Sequence, residues 1–556
     1  MVLSSTEDAF TLTYQSEHRD GAIHFVWRAR IDGRTDGTIV FTFAGEARST
    51  FEKNRIGLCV LHPMHQCAGA SATGRRTTGE PRDLRFPELV AIEQPIEGFT
   101  DLAALTVDAP GALELELTFE GDGFETEDQR NWIDASFKTY STPLSLPRPV
   151  IVREGTLIEQ RVTLRLLSAE RRAIASSTHV RPTGVAGHPE RQEVKVPAMG
   201  VGLGARDVDV PPRTLALLKE LNPAHLRVDL PLASAGWEDR LNSALKLQRE
   251  LDCGLELALL VGPECGAALE SLARLLPPGV VVARILPFAA DRPTTTVEVL
   301  ALVRERLLSR RPGLDAAGTG SRRDLYELHL YPPPAADIIC WAMNPQAHAS
   351  DITSLSETPP AAGEQVRSVR ARHPDAFTAV TPITLGPRWR PSAPPPREPH
   401  PLYASLFGAA WTLAVAAHLA RAGAGSATFL EGLQELAVAG PNVSPLFHVL
   451  CDLCDCAGGT VALAGESTPD VTSLLVRRGP GAVLLLANLS RRPCTAPLPP
   501  GFAPASLRVL DQATAWRAGA DGVGLRAERH AAAGVSSVQL GPFGTARLDG
   551  EITAAV

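Results

Sequence analysis

The chain has 556 residues, 44% of them hydrophobic and 21% charged, which is too long for one core and ordinary for a globular protein of about three domains. Its formal net charge is −8, from 54 Lys and Arg against 62 Asp and Glu, and this excludes a nucleic acid as the expected partner. No apolar run reaches the roughly 18 residues of a membrane span, and MVLSSTEDAF lacks a basic-then-apolar leader, so the expectation is a cytoplasmic protein with no membrane partner.

The nine cysteines are odd in number and scattered, as reduced thiols are. Their tightest cluster, CDLCDC at Cys451 to Cys456, has no second pair and no His pair nearby in sequence. It therefore reads as one face of a helix, and no metal is expected. Arginine pairs such as Arg171-Arg172 and Arg310-Arg311 read as solvated charge.

From residue 10 to about 170 the hydrophobic rhythm has period two. AIHFVWRARI, GTIVFTFAGEA, GALELELTFEGDGFE and LIEQRVTLRLL alternate apolar and polar positions between Gly, Asp and Pro turns. Strands in succession without helices between them predict an N-terminal β-sandwich over residues 1–190. Within it, DQRNWIDASFKTYSTPL concentrates Arg130, Asn131, Trp132, Asp134, Lys138 and Tyr140. Trp132, Asp134 and Lys138 are expected either to lock this domain against the next or to complete a pocket wall, with Trp132 and Lys138 as candidate substrate contacts. The polar, Gly- and Pro-rich segment Arg181 to Val194 reads as a linker.

Near-continuous apolar runs then alternate with amphipathic helices. PAMGVGLGA, HLRVDLPLA, GLELALLVG, VVARILPFA, LYELHLYP, DIICWAMNPQAHA, FTAVTPITLG and GSATFLEG are eight strand-like runs. They predict a (β/α)8 TIM barrel over residues 196–457, closed by the helix SPLFHVLCDLCDC. Period two returns in TSLLVRRG, AVLLLANLS, SLRVLD and SSVQLGPFGTARLDG, which predict a small C-terminal β domain over 458–556.

Barrel chemistry sits at the C-terminal ends of strands. Glu327 is assigned there to the fifth strand and Glu431 to the end of the eighth, two carboxylates able to share acid/base work on a sugar-like substrate. In MNPQAHA, Asn344, Gln346 and His348 alternate, so a strand end would turn them the same way, two amides for hydroxyl groups and an imidazole for a proton. Asp229 ends the second strand, with Arg227 two residues earlier on the same face as an ion-pair partner or a neighbour in the site. Any of these can instead be a structural ion pair or cap. GVGLGA, Gly200 to Ala205, has its third glycine at the wrong spacing for a dinucleotide fingerprint and reads as a tight barrel loop, so no cofactor is expected. GxSxG, HExxH and GxxxxGK[ST] are all absent from the sequence.

Several blocks together resemble the D-apionate lactonase family: FEKNRIGLCVLHP at Phe51 to Pro63, RNWIDASFKTYSTPL, MNPQAHA, TPITLGPR at Thr381 to Arg388, AAWTLA at Ala409 to Ala414, and the PLFHVLCDL helix. They occur in order across the first two domains. Where the family pattern runs T-E-L-N-like on the fifth strand, this chain has Tyr326-Glu327-Leu328-His329. Where members carry an aromatic-Glu-Thr run on the eighth, it has Phe429-Leu430-Glu431-Gly432. The resemblance implies an N-terminal β domain, a barrel and a C-terminal β domain, and the opening of D-apionolactone to its acid. On this reading Glu431 activates water, Glu327 or His348 protonates the leaving oxygen, and Asn344 and Gln346 hold hydroxyls and the oxyanion. A glycoside hydrolase using the same glutamate pair and a non-catalytic carbohydrate-binding relative stay open as alternatives.

Overall fold

The period-two segments of the N-terminal region form a nine-stranded antiparallel sheet that faces a three-stranded one. The larger sheet includes Ala9–Asp20, Ile23–Arg34, Ile39–Ala47, Leu157–Ala169, Leu113–Glu120 and Leu102–Ala109; the smaller is Glu125–Asp128, Ser136–Tyr140 and Cys59–Pro63. Phe119 and Phe137 from these strands join Phe86, Phe99 and Phe124 from the segments between strands in one aromatic core, with ring centroids 4.5 Å apart for Phe119–Phe124 and 4.8 Å for Phe86–Phe99. This is a computed structural model, and it describes residues 1–109, 113–169, 193–314, 317–386, 400–436, 443–462, 470–515 and 524–552. Residues 181–192 of the expected linker, and Pro387 and Arg388 of TPITLGPR, lie outside the described residues.

The described residues gather into two compact units. One comprises residues up to Asn131 and from Ala135 to Ala169; the other comprises Trp132–Asp134 and everything from Glu193 onward. In the first unit the polar density of DQRN is spent internally. Asp128 and Arg130, both with 0% side-chain exposure, pair at 2.7 Å. Arg130 donates to the carbonyls of Pro87, Glu88 and Leu89 and lies 4.7 Å over the Phe137 ring. A buried ion pair repays its desolvation only when its remaining donors are satisfied, and here the guanidinium staples residues 87–89 to the sheet.

The second unit holds the barrel. Along the chain run β1 (Ala198–Leu203), α1 (Pro212–Leu221), β2 (His225–Pro231), α2 (Trp237–Leu251), β3 (Gly254–Val261), α3 (Gly266–Leu275), β4 (Val282–Ala289), α4 (Val297–Arg306), β5 (Thr319–Gly320), α5 (Leu325–Leu330), β6 (Ile338–Met343), α6 (Ile352–Glu357), α7 (Pro359–Arg372), β7 (Phe377–Ile383), α8 (Leu406–Ala422), β8 (Ser426–Phe429) and α9 (Pro445–Cys456). All eight strands pair in parallel, and an Ile285–Ala317 bridge joins β4 to the chain entering β5. LYELHLY is not the fifth strand: Leu325 and Leu328 are buried at helical spacing and Arg323 pairs with Glu327 at i,i+4, 3.7 Å apart, so the segment winds into α5 after a two-residue β5.

A polar layer fills the barrel interior. Glu256, fully buried, takes Arg284 at 2.6 Å and Arg227 at 3.3 Å, with Thr381 also donating to it. Arg227 also reaches Asp229 at 2.7 Å, and Arg284 donates to Ser426. Burial alone would raise the Glu256 carboxyl, but the Arg284 and Arg227 guanidiniums hold it below its usual range. Burial lowers His225 to about 4, so it sits neutral beside Thr428.

After α9 comes a six-stranded antiparallel sheet with a two-stranded ribbon, closed over Leu475, Leu484, Leu486, Val538, Leu540 and Leu548. Asp452 and Asp455 of α9 reach into it. Asp452 pairs with Arg508, with Arg547 at 3.0 Å and with Arg526 at 3.3 Å, while Asp455 lies 2.6 Å from Arg547. In CDLCDC it is thus the aspartates that bind another element, while Cys451 and Cys456 are buried free thiols. Among the described residues no helix is long and apolar enough to cross a membrane.

Candidate functional site

Side chains able to do chemistry cluster past the C-terminal ends of the strands. After β8 the chain turns at Leu430, whose φ of +72° is unusual for a non-glycine residue, and presents Glu431. This turn lies against β1 because β1 has glycines there. A Cβ on Gly202 would sit 2.3 Å from the Leu430 carbonyl oxygen, and one on Gly204 3.0 Å from that of Glu431. GVGLGA is thus not a loop as a whole: Gly200 to Leu203 belong to β1 and only Gly204 and Ala205 lie beyond it, and Gly202 and Gly204 serve the close approach of the Leu430 turn.

Two acids that the sequence reading passed over adjoin Glu431. Asp207, in the loop after β1, accepts the Gly204 N–H at 2.7 Å and the Leu433 N–H at 2.9 Å through Oδ2. Glu435 accepts the Glu431 N–H at 3.3 Å. Burial, reinforced by the charges of Glu431 and Asp207, raises the Glu435 carboxyl to about 8, and burial also raises Asp207. Asp207 was legible from its place just beyond a strand end; Glu435, one turn past Glu431, was not, because its role depends on the fold of that turn.

Glu435 binds its proton more tightly in the folded chain than at its ordinary value of 4.5. Its contribution to stability is therefore complete below about pH 4.5 and lost as pH rises through about 8. Glu435→Gln removes that loss: at pH 9 the variant is more stable than the parent by on the order of 5 kcal/mol, at about 1.4 kcal/mol per pKa unit over the rise from 4.5 to about 8, and at pH 4 the two coincide. Parallel urea titrations at the two pH values check this, and equal stability at pH 9 would contradict it.

The β6 loop continues the rim. Asn344, Gln346 and His348 follow the strand, which ends at Met343, in a turn, so strand alternation does not orient them and that expectation is corrected. Asn344 donates to Thr384 Oγ1 at 3.0 Å and to the Gly386 carbonyl, and its Oδ1 accepts the Gln346 N–H. Gln346 donates to the Leu385 carbonyl at 2.9 Å, with its Nε2 3.3 Å from His400 Nε2. The buried Tyr403 hydroxyl accepts the Leu385 N–H at 2.8 Å, and burial with the Glu435 and Glu431 charges keeps it a neutral phenol. The two amides thus tie β6 to β7.

His348 extends outward, and its Nδ1 lies 2.6 Å from Asp134 Oδ2. Trp132 meets the imidazole edge-on, centroids 5.2 Å apart at 81°, and packs on Tyr326 of α5 at 4.7 Å. Between Trp132 and Asp134, the buried Ile133 has φ +67°, a strained value for a β-branched residue. Glu327, next to Tyr326, is raised by burial against the pull of Arg323, and its Oε2 is buried without a hydrogen-bond partner among the described residues. Asp229 is held by Arg227 near the end of β2. Lys138 stays in the first unit, 3.1 Å from Glu127 and 5.0 Å over the Tyr140 ring. A cavity of about 660 Å³ lined by Lys195, Thr460, Arg477, Arg547 and Asp549 lies at the other end of the barrel, where the chain enters β1, away from this chemistry.

A rim with a protonated carboxyl beside a second glutamate, and an imidazole held by a carboxylate, can move protons to and from water and an ester oxygen. Comparison with known proteins adds a family. Models of the D-apionate lactonase N-terminal domain, TIM barrel domain and C-terminal immunoglobulin-like domain match residues 1–169, 199–458 and 469–548. The D-apionate lactonase of Brucella anthropi is 26% identical over 402 residues, a match covering 70% of this chain and 65% of the relative, so the chain spans a little less than two thirds of that protein's length. Among solved structures, a glycoside hydrolase family 30 subfamily 8 xylanase from Clostridium acetobutylicum aligns at 10% identity and a TM-score of 0.44, over 65% of this chain and 97% of that one. A conserved exported protein from Bacteroides fragilis aligns at 12% identity and 0.44, over 65% and 99%. Likenesses this slight carry no argument about chemistry. The three domain models show the family: they follow one another in order along most of the sequence, over the β, barrel and β architecture that the structure has, and the chain belongs to the D-apionate lactonase family.

Proposed function

We propose that the chain hydrolyses a sugar lactone, D-apionolactone being the one its family points to, to the open acid. The observation that carries this reading is Glu435 hydrogen-bonded to the Glu431 backbone and raised to about 8. At neutral pH Glu435 keeps its proton and places no second negative charge beside Glu431. Glu431 then takes a proton from water as the oxygen attacks the lactone carbonyl carbon. The tetrahedral intermediate collapses with cleavage of the bond from the carbonyl carbon to the ring oxygen, and the leaving oxygen takes the Nε2 proton of the His348 imidazolium, leaving the neutral ring with its proton on Nδ1. The proton held by Glu431 then passes through solvent to Nε2 and resets both groups. The product acid releases one proton to solvent.

His348 is preferred to Glu327 as the donor. Its ring is 35% exposed at the rim, whereas the unpartnered Glu327 oxygen is buried. Trp132, backed by Tyr326, offers an aromatic wall to the apolar face of a sugar, and Asp229 offers an acceptor to its hydroxyls. Asn344 and Gln346 shape the pocket by holding the β6 and β7 loops together, and Lys138, paired with Glu127, takes no part in this reading. A lactone is an activated ester, so an acid/base contribution of about 10²–10⁴ serves for its opening. The test is proton release by the purified chain across aldonolactones, with aryl glycosides in parallel. Turnover confined to lactones is expected; turnover of glycosides alone would make the chain a glycosidase, and binding without turnover a carbohydrate-binding protein.

A further inference from the structure

We infer that Asp134 is the positioning residue of His348, fixing the imidazole as the tautomer that donates Nδ1–H to the carboxylate and turns the Nε2 lone pair to the rim. This rests on the proposed lactonase reading for its consequence, but not for its geometry. The Nδ1···Oδ2 separation is 2.6 Å, and Asp134 is well covered, with 16% side-chain exposure against 35% for His348. A neutral imidazole carries one ring proton, and a carboxylate at Nδ1 accepts it there, leaving Nε2 as the acceptor. In water the two tautomers interchange, so holding one of them removes an ordering step from proton transfer.

The same short segment fixes the ring's orientation. Trp132 stands edge-on to the imidazole at 81° and is itself backed by Tyr326, so the ring is held by the carboxylate on one side and by an indole on another. The strained Ile133 lies between the two groups that touch His348. A segment whose sequence neighbours on both sides belong to the first unit thereby clusters with the barrel's unit and supplies both restraints. An incidental surface pair needs neither the second contact nor the strain, and exposed pairs are held loosely.

The test combines a spectroscopic and a kinetic readout on the full chain. With ¹⁵N-labelled histidine, and His348 assigned by its loss in His348→Ala, the parent should show an unprotonated nitrogen at Nε2 under conditions where the ring is neutral. In Asp134→Asn that tautomer should give way to a mixture. On a turned-over lactone, Asp134→Asn should lower kcat about 10–100-fold with KM changed less than about threefold, as loss of an outer partner does. Asp134→Glu should recover part of it, and the double variant with His348→Ala should be no worse than His348→Ala alone. An unprotonated Nδ1 in the parent, a tautomer ratio indifferent to Asp134→Asn, or losses that simply multiply would each overturn the assignment. If no lactone is turned over, the lactonase reading fails while the tautomer measurement still decides the role of Asp134.

Discussion

Glu431→Gln should lower kcat/KM for lactone opening by about 10²–10⁴-fold, the contribution of a positioned general base, with the melting temperature nearly unchanged. Glutamine keeps the size of the side chain and can still accept and donate hydrogen bonds, and it leaves untouched the backbone contacts of the turn after β8, which include the Glu431 N–H to Glu435 and the Leu430 carbonyl against Gly202. What is lost is the carboxylate that takes the proton from water. The loss should fall on kcat, because the base acts as water attacks and not when substrate docks. Steady-state kinetics beside a thermal melt separates the outcomes. A large fall in melting temperature would make Glu431 structural, and an unchanged kcat would move the base to His348.

Glu256→Gln should destabilise the barrel by about 3–5 kcal/mol, the cost of breaking a buried ion pair from one side. The carboxylate has no exposure, and it neutralises Arg284 at 2.6 Å and Arg227 at 3.3 Å. Without its charge, two guanidiniums remain in the interior with the hydroxyls of Ser426 and Thr381, and among the described residues Asp229, at the outer end of Arg227, is the carboxylate left beside them. The neutral His225 worsens the site if it protonates, so the chain gains nothing by acquiring a proton there. Urea unfolding followed by the tryptophans of the barrel measures the difference; a change under about 1 kcal/mol would show that the arginines find other partners or water.

Much of this architecture is legible in the sequence because both of its periodicities are strong. β3 and β4 are apolar runs interrupted once each, by Glu256 and Arg284, and they form the parallel strands they predict, as does β2 with its polar His225, Arg227 and Asp229. The N-terminal and C-terminal alternating runs form antiparallel sheets for the same reason. LYELHLY misleads because its leucines satisfy period two and period three at once. What decides between them is the Arg323–Glu327 pair and the burial of Leu325 and Leu328, neither of which a local pattern contains.

The rim is legible in part. Glu431 and Asp229 follow from the rule that barrel chemistry gathers at strand ends. The amides of Asn344 and Gln346 read as ligands from their alternation at the end of an expected strand, yet their partners are carbonyls and a hydroxyl some 40 residues on, in the β7 loop. Trp132 and Asp134 were visible as an unusual cluster. That the pair would meet His348, 214 residues away for Asp134, is tertiary information.

The most direct test is the hydrolysis of D-apionolactone by the purified chain in ¹⁸O-labelled water, followed by titration of released acid and by mass spectrometry of the product. One proton released per lactone opened and one ¹⁸O in the new carboxylate are expected, as attack of activated water on the carbonyl carbon requires. No acid above the uncatalysed rate, or label on a sugar carbon instead of the carboxylate, would contradict it.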